Sequence, residues 1–130
     1  PLRDLAEHTL IHDLFLAPGE PWNGWGAWFA LAGIPGSPPP GPSYTDTILI
    51  NQAAIQGQGV AIGRSALVDE ALTQGLLVRP FEVVRPADYS YWCVMTPATA
   101  ESRAGAAFRD WLFDMAREAA GGGRQPTLIV

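Results

Sequence analysis

No lysine occurs among the 130 residues, and the eight arginines are scattered along the chain. Phosphate backbones are gripped by clustered Lys and Arg. With a net charge of −5, this chain is not expected to hold nucleic acid with its own surface. No apolar run of about 18 residues exists either, so a membrane span is not expected. The single cysteine, Cys93, excludes an internal disulfide and a cysteine-based zinc site. It lies in the apolar run Tyr91–Met95, which predicts a buried, inert thiol, and disulfide-free chains suit the cytoplasm. Residues Pro1–His8 hold two acids and no apolar segment, unlike a secretory leader. A start at Pro1 rather than Met reads as a trimmed or processed piece of a longer protein. Also lacking are a G-x-S-x-G motif and a metal-ligand set. GQGVAIGRS has neither the Walker spacing nor its lysine. Catalysis therefore has little to rest on, and no cofactor or metal is implied.

What is present is enough apolar surface for a core, 48% of the chain, and a length that suits one domain or slightly more. Residues 44–81 organise it. Short apolar runs around Tyr44, Val60–Ile62 and Leu76–Phe81 read as strands, separated by amphipathic helices over Ile48–Gln56 and Ala66–Gln74. Each helix ends at a glycine, Gly57 or Gly75, suited to a left-handed closing residue. Strands alternating with short helices imply right-handed crossovers and a parallel α/β sheet. Ligands of such sheets sit at the carboxyl ends of the strands.

Around this centre, residues 2–8 suit one or two helical turns and Thr9–Leu14 a short strand. Trp22, Trp25, Trp28 and Phe29 recur at helical spacing up to Gly33, a stripe read as core rather than a stacking platform. Five prolines bar regular structure from 33–42. Ser90–Met95 reads as a strand and Pro97–Glu101 as a turn. Ala104, Ala107, Phe108, Trp111, Leu112 and Met115 trace one face of a last helix. Residues 121–130 read as a flexible tail whose Leu128–Val130 can dock locally or on a neighbour.

Four groups bear on function. Thr45, Asp46 and Thr47 stand at a strand-to-helix turn. One of them suffices as an N-cap, and the same helix start can hold a carboxylate or other polar group. Gly63 and Arg64 occupy the next such turn, with Ser65 as the expected cap. Arg64 can meet an anionic ligand or make a surface ion pair with Asp69 or Glu70. His12 and Asp13 are neighbours on a strand and so point to opposite faces, which excludes a relay between them. Tyr91 and Trp92 diverge in the same way, and one of the pair can face a ligand.

The order and spacing of several pieces then carry a resemblance. LAEHTLIHD (5–13), Ala53–Ala54, GQGVA (57–61), LVRPF (77–81), Tyr91–Trp92 and FRDWL (108–112) together resemble the C-terminal part of LysR-type transcriptional regulators. The likeness is to the branch holding the glycine-cleavage activator and the β-lactamase regulator. It covers roughly residues 1–120 and implies a periplasmic-binding-protein-like (type II) effector domain of two subdomains joined by two crossovers. Residues 1–8 would end the first crossover and 9–88 would form the second subdomain. Residues 89–120 would supply the return strand and a helix of the first subdomain. The resemblance implies a small polar or anionic effector in the cleft, contacted at Asp46, Thr47 and Tyr91, with Thr45, Gly63, Arg64, His12 and Asp13 on the same rim. It further implies a homo-oligomer, a dimer above all, and promoter DNA bound only through a helix-turn-helix that these residues do not contain. Rival readings are a piece of a solute-binding protein of the same fold and a small α/β enzyme.

Overall fold

The computed structural model describes residues 2–14, 24–84, 91–120 and 127–129. It divides into two units, one of residues 1–86 with 125–130, the other of residues 87–124. The first holds a 3-10 helix Leu2–Glu7, β1 His12–Asp13, α1 Trp25–Ala32, β2 Ser43–Tyr44, α2 Thr47–Ile55, β3 Ala61–Gly63, α3 Ser65–Thr73 and β4 Thr127–Ile129. The second holds α4 Pro97–Glu101 and α5 Arg103–Ala120.

Residues 9–14 form the middle strand of the first unit. On one side β1 pairs in parallel with β2, His12 opposite Ser43 and Asp13 opposite Tyr44. On the other, Leu10 bridges Val60 in parallel, through Val60 N–H to Thr9 O at 2.9 Å and Ile11 N–H to Val60 O at 2.8 Å. Successive strand residues face opposite ways, and this alternation sorts the core into two. Leu10 and Val60 join Leu5, Trp25, Trp28, Phe29 and Ile34 on one face. Ile11 and Ala61 join Ile50, Ala53, Ala54, Val68 and Leu77 on the other. Helix α1 thus covers one face of the strands, and α2 and α3 the other. This mixed α/β arrangement agrees with the parallel order expected around Tyr44 and Val60.

Two glycines let the outer strands approach the middle one. A Cβ at Gly41 would overlap the carbonyl oxygen of Leu10, and one at Gly59 that of Thr9. The helix ends follow the sequence: Gly33, Gly57 and Gly75 have φ of 67°, 70° and 71°. Trp25, Trp28 and Phe29 are buried, as their spacing predicts, whereas Trp22 lies outside the described residues. Each such side chain contributes roughly 2–3 kcal/mol of burial. Residues 34–42 carry neither helix nor strand, consistent with their prolines.

Several expectations are corrected. Leu76–Phe81 is not a strand. The N–H groups of Leu76 and Leu77 are drawn back to Ala71 O at the end of α3, at 2.9 and 3.2 Å, while Leu77 is buried against α2 and α3. The outer edge of β3, where a third parallel strand was expected, instead carries β4 in antiparallel register. Of the strand expected over Ser90–Met95, Ser90 lies outside the described residues and Tyr91–Met95 carries no strand. Among the described residues of the second unit, α4 and α5 offer it no strand to pair with. Cys93 is therefore exposed, not buried. Pro97–Glu101 is a helical turn capped by Thr96, whose Oγ1 accepts from Thr99 N–H at 3.2 Å. The tail's 121–126 and 130 lie outside the described residues. In the second unit, Phe108 and Trp111 stack with centroids 5.6 Å apart on an exposed face of α5.

Candidate functional site

Parallel strands end on the same edge of a sheet. The carboxyl ends of the middle strand, β2 and β3 therefore place Asp13–Leu14, Thr45–Asp46 and Gly63–Arg64 along one rim. Leu14 N–H donates to Tyr44 O at 2.8 Å and fixes the middle strand's end beside that of β2. Helix α2 begins at Thr47, three residues after Tyr44, and α3 begins at Ser65, directly after Arg64. Both helix N-termini therefore lie at this rim, each with backbone N–H groups that lack partners within the helix.

The two helix starts differ. Asp46, extended at φ −134° and ψ 125°, caps α2: its Oδ1 accepts Ile48 N–H at 2.7 Å. That leaves Thr45 and Thr47 as the uncommitted hydroxyls of the turn. Asp46→Ala is expected to cost about 1 kcal/mol of stability, read as a lower urea midpoint with an unchanged slope. At α3 the N-cap position is Arg64, which makes no side-chain capping bond. Ser65, expected to be the cap, is instead the first helical residue and is buried. The guanidinium of Arg64 is exposed at the rim, and Gly63 beside it is buried.

His12 is half-buried, and its Nε2 lies 3.0 Å from Pro39 O. The ring thus ties the proline-rich segment to β1, a structural task that excludes this nitrogen from acid–base work in the same geometry. Asp13, half-buried, follows on the opposite face of the strand. Tyr91 belongs to the other unit, where it is 84% exposed. The structure accordingly gathers Thr45, Asp46, Thr47, Gly63, Arg64 and Asp13 at one edge, holds His12 one residue behind it, and leaves Tyr91 as a separate element.

A second feature escaped the sequence reading. An open groove of about 280 Å³ runs between α2 and α3, lined by Ile48, Asn51, Gln52, Ile55, Leu67 and Glu70 among others. Within it, Asn51 is buried and its Oδ1 has no hydrogen-bond partner. Gln74 Nε2–H donates to Glu70 Oε1 at 2.9 Å along one wall. None of the rim residues lines this groove. The signal for it was Asn51 itself, a polar residue between Ile48 and Ile55 on one helical face. Among the described residues no group of three His, Cys, Asp or Glu side chains is placed to hold a metal ion, and no helix is long and apolar enough to cross a membrane.

Comparison with known proteins supplies the remaining observation. Residues 1–117 match the LysR substrate binding domain family. The chain is 34% identical over 109 residues to the glycine cleavage system transcriptional activator of Escherichia coli strain K12, a match covering 84% of this chain and 34% of that protein. It is 32% identical over 115 residues to the HTH-type transcriptional activator AmpR of Pseudomonas aeruginosa, covering 87% and 36%. For AmpR of Rhodobacter capsulatus the figures are 31% over 117 residues, 88% and 37%. The chain spans about a third of the length of these relatives. The likeness read from the motif pieces is thereby borne out. No solved structure gives a significant match.

Proposed function

This chain belongs to the LysR substrate binding domain family, the effector-binding domain of LysR-type transcriptional regulators, and from that premise we propose that it senses a small polar or anionic metabolite at the rim of its parallel strands. The observation that carries the reading is the convergence of two helix N-termini, the hydroxyls of Thr45 and Thr47 and the uncommitted guanidinium of Arg64 on one edge. Oriented N–H groups and a fixed cation recognise carboxylates and similar anions. Among the described residues of this edge no nucleophile is held by a base, and in this reading the site binds its ligand without transforming it. In this reading residues 9–88 form the second subdomain of a two-subdomain, periplasmic-binding-protein-like domain. Residues 1–8 end the first crossover. Residues 89–120 furnish the return crossover, with Tyr91 on it, and a helix of the first subdomain. The exposed Phe108 and Trp111 face of α5 is then a packing surface for that subdomain or for a dimer partner.

Effector binding changes the angle between subdomains and hence the geometry with which a full-length, cytoplasmic dimer holds its promoter, since a ligand shifts a conformational equilibrium by its differential affinity. DNA contact falls to a helix-turn-helix outside these residues. The test is a thermal-shift panel of amino acids, dicarboxylates and peptidoglycan fragments on a chain extended upstream to include both subdomains. A stabilising compound is expected, and Arg64→Ala should weaken its binding by about tenfold, the effect of one charge-assisted contact of roughly 1.5 kcal/mol. An Arg64→Ala chain that binds the compound as tightly as the parent would refute the assignment of Arg64.

A further inference from the structure

We infer that the groove between α2 and α3 is a second ligand site, for a small arylalkylammonium ion, an aromatic ring on a short chain that ends in a protonated amine. Asn51 and Leu77 are its buried lining, at 9% and 2% exposure. The Asn51 Oδ1 is closed to solvent and has no hydrogen-bond partner. A buried acceptor without a donor destabilises the fold that carries it, and a bound donor removes that cost. The terminal torsion of an asparagine is broad, so a small turn of the amide brings Oδ1 to a donor in the groove. Around it, Ile48, Leu67 and Leu76 leave half or more of their surface in water. An apolar body laid against them is favoured by the release of that water.

Charge selects the polar end of the ligand. Among the described residues, Glu70 is the one ionisable side chain that lines the groove. Its Oε1 accepts from Gln74 Nε2–H at 2.9 Å, which holds the carboxylate on the α3 wall. A lone negative charge beside apolar surface repels anions and draws cations. One ammonium group, with three N–H donors and no acceptor, serves both the carbonyl of Asn51 and the carboxylate of Glu70. Volume sets the size of the body. An apolar cavity of roughly 150 Å³ takes benzene, so a groove of about 280 Å³ holds such a ring with a short chain and its amine. The preference is opposite in sign to that of the rim around Arg64, and the inference stands without that reading.

Titration of the full-length protein, labelled at its isoleucine methyl groups, with 2-phenylethylammonium tests it. Shifts are expected at Ile48 and Ile55, which line the groove, and not at Ile34, which packs on the opposite face of the strands. A dissociation constant on the order of 1 mM suits a ligand of this size. 3-Phenylpropionate, a similar body with the opposite charge, should bind several-fold more weakly. Asn51→Leu should weaken the ammonium by about tenfold, the loss of one charge-assisted hydrogen bond, without lowering the melting temperature. Glu70→Gln removes the charge of an exposed side chain. It should weaken the ammonium by about threefold and leave binding of neutral 2-phenylethanol unchanged. The inference is overturned by unmoved Ile48 and Ile55 methyl groups, by equal binding of the propionate, or by parent affinity in Asn51→Leu. Should the leucine variant not fold, Glu70→Gln decides alone, and parent affinity for the ammonium there overturns the inference equally.

Discussion

Trp25→Ala is expected to lower stability by about 4 kcal/mol, within the range for removing a buried aromatic side chain. Trp25 is 3% exposed and meets Trp28 and Phe29 edge-on, with ring centroids 5.9 and 6.1 Å away. Its Nε1–H also donates to the carbonyl of Ile11 at 2.8 Å, in a buried setting. The one side chain therefore packs α1 on the sheet and satisfies a backbone acceptor of the middle strand. Trp25→Phe separates these contributions. It keeps a ring in place and removes the donor, so roughly 1–2 kcal/mol should be lost for the stranded carbonyl. Urea denaturation of both variants decides the matter: a Trp25→Phe chain as stable as the parent would mean that packing alone holds α1 on the sheet. Since small domains have only about 5–15 kcal/mol in total, the alanine variant should melt far below the parent.

Gly59→Ala is the second large effect, about 3 kcal/mol from overpacking against a backbone that cannot yield. The new Cβ would overlap the carbonyl oxygen of Thr9, the acceptor of the Val60 N–H. Relief requires the strand around Val60 to move off the middle strand, breaking the bridge between Leu10 and Val60. Gly57→Ala is the contrast. A Cβ there meets nothing within 4 Å, and the cost is confined to a left-handed φ of 70°; about 1 kcal/mol is expected. Thermal unfolding should therefore rank Gly59→Ala well below Gly57→Ala. The reverse order would show that the strands do not approach through Gly59.

The same residues show what the chain displays openly and what it hides. The helices were legible because periodicity and closing glycines agree: Gly33, Gly57 and Gly75 all take the left-handed conformation that their positions call for. The Trp25, Trp28 and Phe29 stripe was legible as core for the same reason. Leu76–Phe81 misled because an apolar run specifies burial, which Leu77 achieves, and not strand pairing, which depends on who holds the neighbouring edge. That edge is taken by β4, some fifty positions further along the sequence, and local pattern does not reveal such a long-range choice. Tyr91–Met95 misled in the same manner, an apolar β-prone run that carries no strand. At the site, the turns bearing Thr45–Thr47 and Gly63–Arg64 were readable from strand-to-helix spacing alone. The roles inside them were not: whether Asp46 or Thr47 caps, and whether Ser65 precedes or begins its helix, depends on one residue of helical register. Asn51 carries no local signal of burial, because a polar residue in a helix is ordinarily solvated, and only the packing of α3 beside it shows otherwise.

The claim on which the functional reading depends is that the ligand meets the ends of the parallel strands and not the groove between α2 and α3. Amide chemical shifts of an isotopically labelled chain containing both subdomains, titrated with the most stabilising compound of the metabolite panel, address it directly. The largest changes are expected at Thr45–Thr47 and Gly63–Ser65. Changes centred instead on Asn51, Gln52, Glu70 and Gln74, with the rim amides unmoved, would contradict it.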